Sequence, residues 1–335
     1  MKRFLSTALA FAITVVALAY TLRGADFVRL GRLLSGGNYW VVVPFLAALL
    51  LSFILNAVRW AVMLRPLGRF RWRTLMPSMM IGLAANNVFP ARLGEFVRAV
   101  LFARQFRQPV NAALASLVLE RMMDVGAILI YYGLAVLLLG RPSEPIWIAT
   151  EIAGIALGAG CLVLALLVAW PGAALAGYDR ATRWLPAALA LRSRGILRHI
   201  ITALSIVRSS GSMASLLLLS LLRWACVVGM VQLSLLAYGI HPPVGLALLV
   251  FVVSSLAGSL PGTPGSVGTL QAAFVFAQMP YGVDREIALA SSALFLVGNW
   301  LPVTACGVLL FLLRGLHVAD LRRELDGSRA TIQES

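Results

Sequence analysis

Six stretches of the chain are apolar for long enough to cross a bilayer: residues 4–22, 39–64, 111–139, 146–170, 213–238 and 287–313. Each approaches or exceeds the roughly 20 residues that a helix needs to span the hydrocarbon core. Two further regions begin apolar and then fail. Residues 74–108 break at Asn86, Asn87 and Pro90 and continue as an amphipathic, charged run. Residues 243–283 hold two apolar pieces split by Pro261-Gly262-Thr263-Pro264-Gly265. Each reads as helix, break, helix: either a re-entrant hairpin or a pair of short crossings. Such backbone survives at membrane depth only where protein or water satisfies its N–H and C=O groups. The pattern predicts an all-α integral membrane protein with six transmembrane helices and two broken-helix hairpins.

The same pattern repeats. Arg59-Trp60-Ala61 recurs as Arg223-Trp224-Ala225, and Ala113-Leu114-Ala115-Ser116 recurs as Ala288-Leu289-Ala290-Ser291. An interrupted region lies between the anchors in both cases. This defines two units, 39–139 and 213–313, within a single polytopic domain of residues 1–335. The Arg-rich linker 171–212 joins them, read as a solvated loop with amphipathic helix or as a surface that captures lipid. Paired Gly/Pro-interrupted segments in two halves point to a transporter site between the repeats.

Charge sets the orientation. Arginines cluster at 65, 69, 71 and 73, again at 180, 183, 192, 194, 198 and 208, and after the last span at 314, 322 and 323. All three clusters fall on one side if each interrupted region returns to the side it entered from. The positive-inside rule then puts both termini in the cytoplasm, expected here to be bacterial, with the protein in the inner membrane. The two units are inverted as a result. Arg23, Arg29 and Arg32 fall outside in this scheme, with only Asp26 to offset them. Met1-Lys2-Arg3 and the apolar run to Leu22 resemble a signal peptide; an uncleaved first span is expected.

Composition narrows the classes. Only 12% of residues are charged and 60% are hydrophobic, against about 25% charged in soluble domains. The tail after Arg314 is too short to fold alone, so no appended soluble catalytic domain is expected. The formal charge is +15, carried almost wholly by arginine, since Lys2 is the only lysine. In a membrane protein this marks cytoplasmic loops and anionic lipid, not nucleic acid. Cys161, Cys226 and Cys306 lie in apolar runs without metal-ligand spacing, and His199, His241 and His317 are scattered. No metal or organic cofactor is expected, and no CxxC, HExxH, P-loop or GxSxG motif is present.

The candidate chemistry lies in charges at membrane depth. Glu120, Arg121 and Asp124 share one face of the third span. Glu120 and Asp124 are like charges four apart, unfavourable unless a cation lies between them; Arg121 is the expected cation. They form either a substrate or proton path or a structural ion-pair knot. Arg223 sits mid-span with no acid in its own span, so Glu120, Asp124 or an anionic ligand is its expected partner. Arg59 lies nearer a membrane face, where snorkelling is an alternative. Arg92, Glu95 and Arg98 follow the first break, with Glu95 and Arg98 spaced to pair. A helix starting near Gly94 would aim its N–H groups at the break, an anion-binding arrangement or a plain charge pair. The second break is uncharged. Its Gly262, Gly265 and Gly268 allow close backbone approach, and Gln271 and Asn299 are the nearest polar side chains.

Three motifs in order carry a resemblance: Asn87-x-x-Pro90-x-Arg92-x-Gly94-Glu95-x-x-Arg98, Glu120-Arg121-x-x-Asp124, and Pro261-x-x-Pro264-Gly265-x-x-Gly268. Together they resemble the lysylphosphatidylglycerol synthase transmembrane-region family, also called flippase-like or UPF0104. The resemblance implies a membrane region linked to moving modified lipid between leaflets, with aminoacyl transfer left to a separate soluble domain. The family's Pro-Gly-Gly is here Pro264-Gly265-Ser266, and Gln271 stands where an acid is common. That departure speaks against proton coupling in the second unit. The expected function is a lipid translocator for an anionic or lipid-linked headgroup: phospholipid, aminoacylated lipid or polyprenyl phosphate. Arg223, Arg59 and Arg92 would hold phosphate, and Glu120, Arg121 and Asp124 would gate. The alternatives are a membrane enzyme with Glu120 and Asp124 as acid and base, and a noncatalytic partner of a separate lipid synthase or glycosyltransferase.

Overall fold

The computed structural model describes residues 16, 19, 21–88, 93–140, 142–183, 194, 213–259 and 266–315. Most of the predicted first span, most of the linker and both break tips lie outside these residues. That includes Pro90, Arg92, Pro261, Gly262, Pro264 and Gly265.

Among the described residues all regular structure is helical: α1 Phe27–Gly36, α2 Val42–Met63, α3 Trp72–Val88, α4 Leu93–Phe106, α5 Val110–Leu139, α6 Glu144–Ala169, α7 Pro171–Ala181, α8 Met213–Leu236, α9 Val244–Ser259, α10 Thr269–Gln278 and α11 Arg285–Leu313. Four of the predicted spans are long, apolar helices able to cross a bilayer: 39–63, 112–139, 213–236 and 285–313. Predicted span 146–170 is one unbroken helix, α6. Each interrupted region contributes two short helices, α3 and α4 in the first and α9 and α10 in the second, and residues 89–92 and 260–265 between them lie outside the described residues. At about 1.5 Å per residue these four limbs measure only about 15–26 Å, less than the roughly 30 Å hydrocarbon core.

The eight helices of the two units pack in matched pairs. α2 lies along α8. α3 packs on α11 as α9 packs on α5; α3 on α4 as α9 on α10; α4 on α5 as α10 on α11. α2 meets α3 as α8 meets α9, and α5 touches both α2 and α8 as α11 touches both α8 and α2. One large apolar cluster surrounds α9, where Leu246 to Val253 are buried against Phe274, Phe295, Tyr131 and Leu235. A second surrounds Trp60, Met79 and Phe102 between α2, α3 and α4.

Small residues let the hairpin limbs touch. A Cβ on Gly94 would lie 1.9 Å from the Gly82 carbonyl oxygen, and one on Gly307 would lie 2.3 Å from the Ala84 Cβ. Leu, Ile or Val at these positions would drive α3 from α4 and from α11.

α1 answers the charge excess expected on the outer face. The Asp26 carboxylate caps it, accepting from the Val28 and Arg29 N–H groups at 2.9 and 3.0 Å. These N–H donors, Arg29 first, hold the Asp26 carboxyl below the usual carboxylate range. Arg29 pairs with Asp284 and, at 3.6 Å, with Glu286. Arg29 therefore has acidic partners from α11 and the residue before it, which sequence counting around residues 23–32 did not reveal. Phe27 and Val28 remain exposed at 63% and 71%, the signature of a helix lying on an apolar boundary.

Candidate intramembrane ion-pair site

α5 carries two inward carboxylates one turn apart, and three neighbouring helices supply arginines to them. Arg59 from α2 lies between the two. Its Nη1 is 2.5 Å from Asp124 Oδ1 and its Nη2 is 3.1 Å from Glu120 Oε1. It also donates to Ser220 Oγ on α8 at 2.7 Å and to Asn56 Oδ1 at 2.9 Å. Arg59 is fully buried, so it does not snorkel. Arg59 is the cation that bridges the like charges of Glu120 and Asp124; Arg121, the expected one, pairs with Glu95 and reaches Asp124 Oδ2 only at 3.9 Å.

The remaining arginines surround this core. Arg98 Nη1 from α4 lies 3.0 Å from Glu120 Oε2, and its guanidinium stacks 3.8 Å above the Trp60 ring. The expected Glu95–Arg98 pair is replaced: Glu95 pairs across to Arg121, and Arg98 turns inward to Glu120. A spacing of three residues permits a pair but does not decide it when a neighbouring helix offers a buried carboxylate. Arg223 Nη1 from α8 reaches Asp124 Oδ1 at 3.4 Å, one of the two acids expected. Its guanidinium sits 4.0 Å over Trp224, whose indole N–H donates to the same oxygen at 3.0 Å.

Exposure grades across the network. The side chain of Arg59 is 0% exposed, that of Arg223 16% and that of Arg121 50%. Charge is not balanced: Arg59, Arg98, Arg121 and Arg223 face Glu95, Glu120 and Asp124, four cations to three anions. Arg98 is buried, yet its Nε and Nη2 have no hydrogen-bond partner among the described residues.

The flanks of the breaks are also placed. Asn86 Oδ1 accepts from the Gly94 N–H at 2.8 Å, tying α3 to the start of α4. The Gly94 N–H expected to face an anion is thus already taken. Asn87 Nδ2 donates to Thr304 Oγ1 of α11 at 2.9 Å. In the second unit Gln271 Oε1 accepts from the Gly268 N–H at 2.7 Å and closes the N-terminus of α10; φ of Gly268 is +87°. Neither Gln271 nor Asn299 joins the ion-pair network. Sequence reasoning missed Asn56, Ser220 and the two indoles. The Arg-Trp repeat held the signal for the indoles, because a buried Trp N–H needs an acceptor.

Apolar and broken helices packed around a buried arginine–carboxylate network define a multi-pass integral membrane protein with an ionic interior. The family model described as Lysylphosphatidylglycerol synthase TM region matches residues 7–307, and the chain belongs to this family. A UPF0104 membrane protein of Methanothermobacter thermautotrophicus is 25% identical, over 79% of this chain and 84% of its own length. A second from the same organism is 24% identical over 92% of each. Glycosyltransferase AglD of Haloferax volcanii is 27% identical over 84% of this chain, a match covering 50% of that protein. No solved structure matches the chain.

Proposed function

We propose that the chain translocates a lipid with an anionic headgroup between the leaflets of a prokaryotic cytoplasmic membrane, with both termini inside. One observation carries the reading: among the described residues the network has one surplus positive charge, and its buried Arg98 has no hydrogen-bond partner at Nε or Nη2. A buried donor left without a partner costs about 1–3 kcal/mol, and more when charged. A phosphate entering from the side of Arg121 and Arg223 supplies both acceptor oxygens and the missing negative charge. Glu120 and Asp124 act as internal counter-ions that hold the arginines when no headgroup is present.

The matched packing of the two units supports an inverted repeat, and the short limbs support hairpins that return to the face they entered from. Such an arrangement lets one unit rock against the other around a fixed site. Arg59 lies too deep to meet cargo first, so Arg223 and Arg121 receive it.

The test is leaflet exchange of a labelled anionic phospholipid in proteoliposomes, with the lipid recovered and weighed by mass spectrometry. Exchange above protein-free vesicles, of unaltered lipid, and its loss in Arg223→Gln are expected. Absence of exchange for every phosphate-bearing lipid tried would overturn the proposal. The relative named a glycosyltransferase favours a second reading, in which the chain, alone or beside a separate synthase or glycosyltransferase, serves chemistry on a lipid. Recovery of altered lipid would select it. Against it, both carboxylates of the proposed acid–base pair are already engaged by arginines.

A further inference from the structure

The turn between α2 and α3 forms a basic cavity of about 890 Å³ separate from the ion-pair network. Arg65, Arg69, Arg71 and Arg73 line it, and all four are exposed. None of them is ion-paired with a described residue, in contrast to every arginine of the network. The opposite wall is apolar: Val58, Ala61 and Val62, from the last two turns of the α2 span. Guanidinium groups at the end of a membrane-crossing helix, with an aliphatic wall running back into the span, have the two-part chemistry of a phospholipid.

The turn is built to keep this shape. Gly68 takes φ +146°, and its N–H donates to the Arg65 carbonyl. Phe70 packs edge-on to Phe102 and Phe106 of α4, with ring centroids 5.2 and 4.8 Å apart. Thr74 Oγ1 donates to the Arg71 carbonyl at 2.7 Å. The arginines therefore project from a fixed frame, and their forks are spared the entropy of ordering a loose loop.

We propose that this cavity is a binding site for the phosphate of an anionic membrane phospholipid in the adjoining leaflet, its acyl chains lying along Val58 and Val62. Charge complementarity selects the occupant: four exposed arginines with no ion-pair partner among the described residues call for an anion, and the aliphatic wall beside them calls for acyl chains. The site requires membrane insertion only and stands whether or not the chain moves lipid.

The experiment uses the full chain in neutral detergent micelles, titrated with dioctanoyl phosphatidic acid or dioctanoyl phosphatidylcholine and read by native mass spectrometry. Phosphatidic acid is expected to bind at least about ten-fold more tightly. At about 1 kcal/mol per arginine near an anionic headgroup, Arg69→Gln/Arg71→Gln should weaken it by about thirty-fold. Arg180→Gln/Arg183→Gln removes the same formal charge elsewhere and should leave the affinity unchanged. Arg69→Lys/Arg71→Lys keeps the charge and the membrane orientation while removing the two-pronged contact; it should lose affinity in part, and it decides the question if the Gln pair melts early. Equal affinity for the two lipids, an unchanged affinity in both the Gln and Lys pairs, or equal losses in the 69/71 and 180/183 Gln pairs would each overturn the site. Displacement of the lipid by an equal concentration of glycerol 3-phosphate would overturn its assignment to lipid.

Discussion

Replacing Arg59 by glutamine should destabilise the protein far more than the same change at Arg223. Arg59 holds Glu120 and Asp124 at 3.1 and 2.5 Å, and these carboxylate side chains are only 9% and 7% exposed. At an effective dielectric of about 20, each contact corresponds to about 5–7 kcal/mol of Coulomb energy, most of it cancelled by the desolvation of the charges. Breaking a buried pair while stranding its partner costs about 3–5 kcal/mol. The loss should not double, because Glu120 keeps Arg98 at 3.0 Å and Asp124 keeps the Trp224 N–H. Arg59→Gln is thus expected to lose about 3–5 kcal/mol. Arg223 makes one 3.4 Å contact and stacks on its own neighbour, so Arg223→Gln should lose about 1–2 kcal/mol while abolishing lipid exchange. Denaturant unfolding in mixed micelles, followed by tryptophan fluorescence, measures both on one scale. An Arg59 variant within about 1 kcal/mol of the parent, or an Arg223 variant as damaged as the Arg59 one, would refute the division between a structural and a cargo-binding arginine.

Four further expectations test separate parts of the structure. Gly94→Ala places a Cβ 1.9 Å from the Gly82 carbonyl oxygen and should cost at least about 1–3 kcal/mol. Gly229→Ala meets nothing within 4 Å and should be neutral or stabilising by up to about 1 kcal/mol in the same unfolding assay. Trp224→Phe keeps the ring packed on Phe251 but removes the 3.0 Å donor to Asp124; a loss of about 1–3 kcal/mol is expected, with no change in far-ultraviolet circular dichroism. Single cysteines at Arg73 and Met279, at the bases of the two hairpins in a background without native cysteines, should react with an impermeant thiol reagent from opposite faces. Labelling of both from one face would remove the inversion.

The broken helices were legible because Asn86-Asn87, Pro90 and the Pro261–Gly265 run interrupt apolar periodicity. The burial of Glu120 and Asp124 was legible from the cost of charge in lipid. Their partners were not. Arg59 sits four residues from the end of α2, where its position alone fits snorkelling; only its orientation towards α5 and α8 buries it. Glu95 and Arg98 have pairing geometry on an isolated helix, yet the packing of α4 on α5 sends them to Arg121 and Glu120. Pairing across helices depends on their rotation and offset, which apolar periodicity fixes only to within a wide arc. The acidic partners of Arg29 were hidden for the same reason, since Asp284 and Glu286 lie some 255 residues away.

The repeated sequence anchors allow the two helices that carry them, α5 and α11, to be compared. Aligning Ala113–Ser116 with Ala288–Ser291 sets Glu120 opposite Phe295, Arg121 opposite Leu296 and Asp124 opposite Asn299. The backbone setting is alike: Ser116 and Ser291 each donate back to the residue three before, Ala113 and Ala288, at 2.6 and 3.0 Å. Phe295 is buried and packs on Phe45 and Phe274, with ring centroids 6.1 and 5.5 Å apart. A helix in the same packing relation to its hairpin therefore closes with apolar and neutral side chains. Replacing buried ion pairs by apolar residues is often neutral or stabilising. Each charge at membrane depth costs about 2.5–3.5 kcal/mol on insertion scales. One chain thus holds both solutions, and the charged one is the more costly to fold. Under the proposed function that extra cost has a reason, since Glu120, Asp124 and the arginines around them would then face a ligand while Phe295, Leu296 and Asn299 would not.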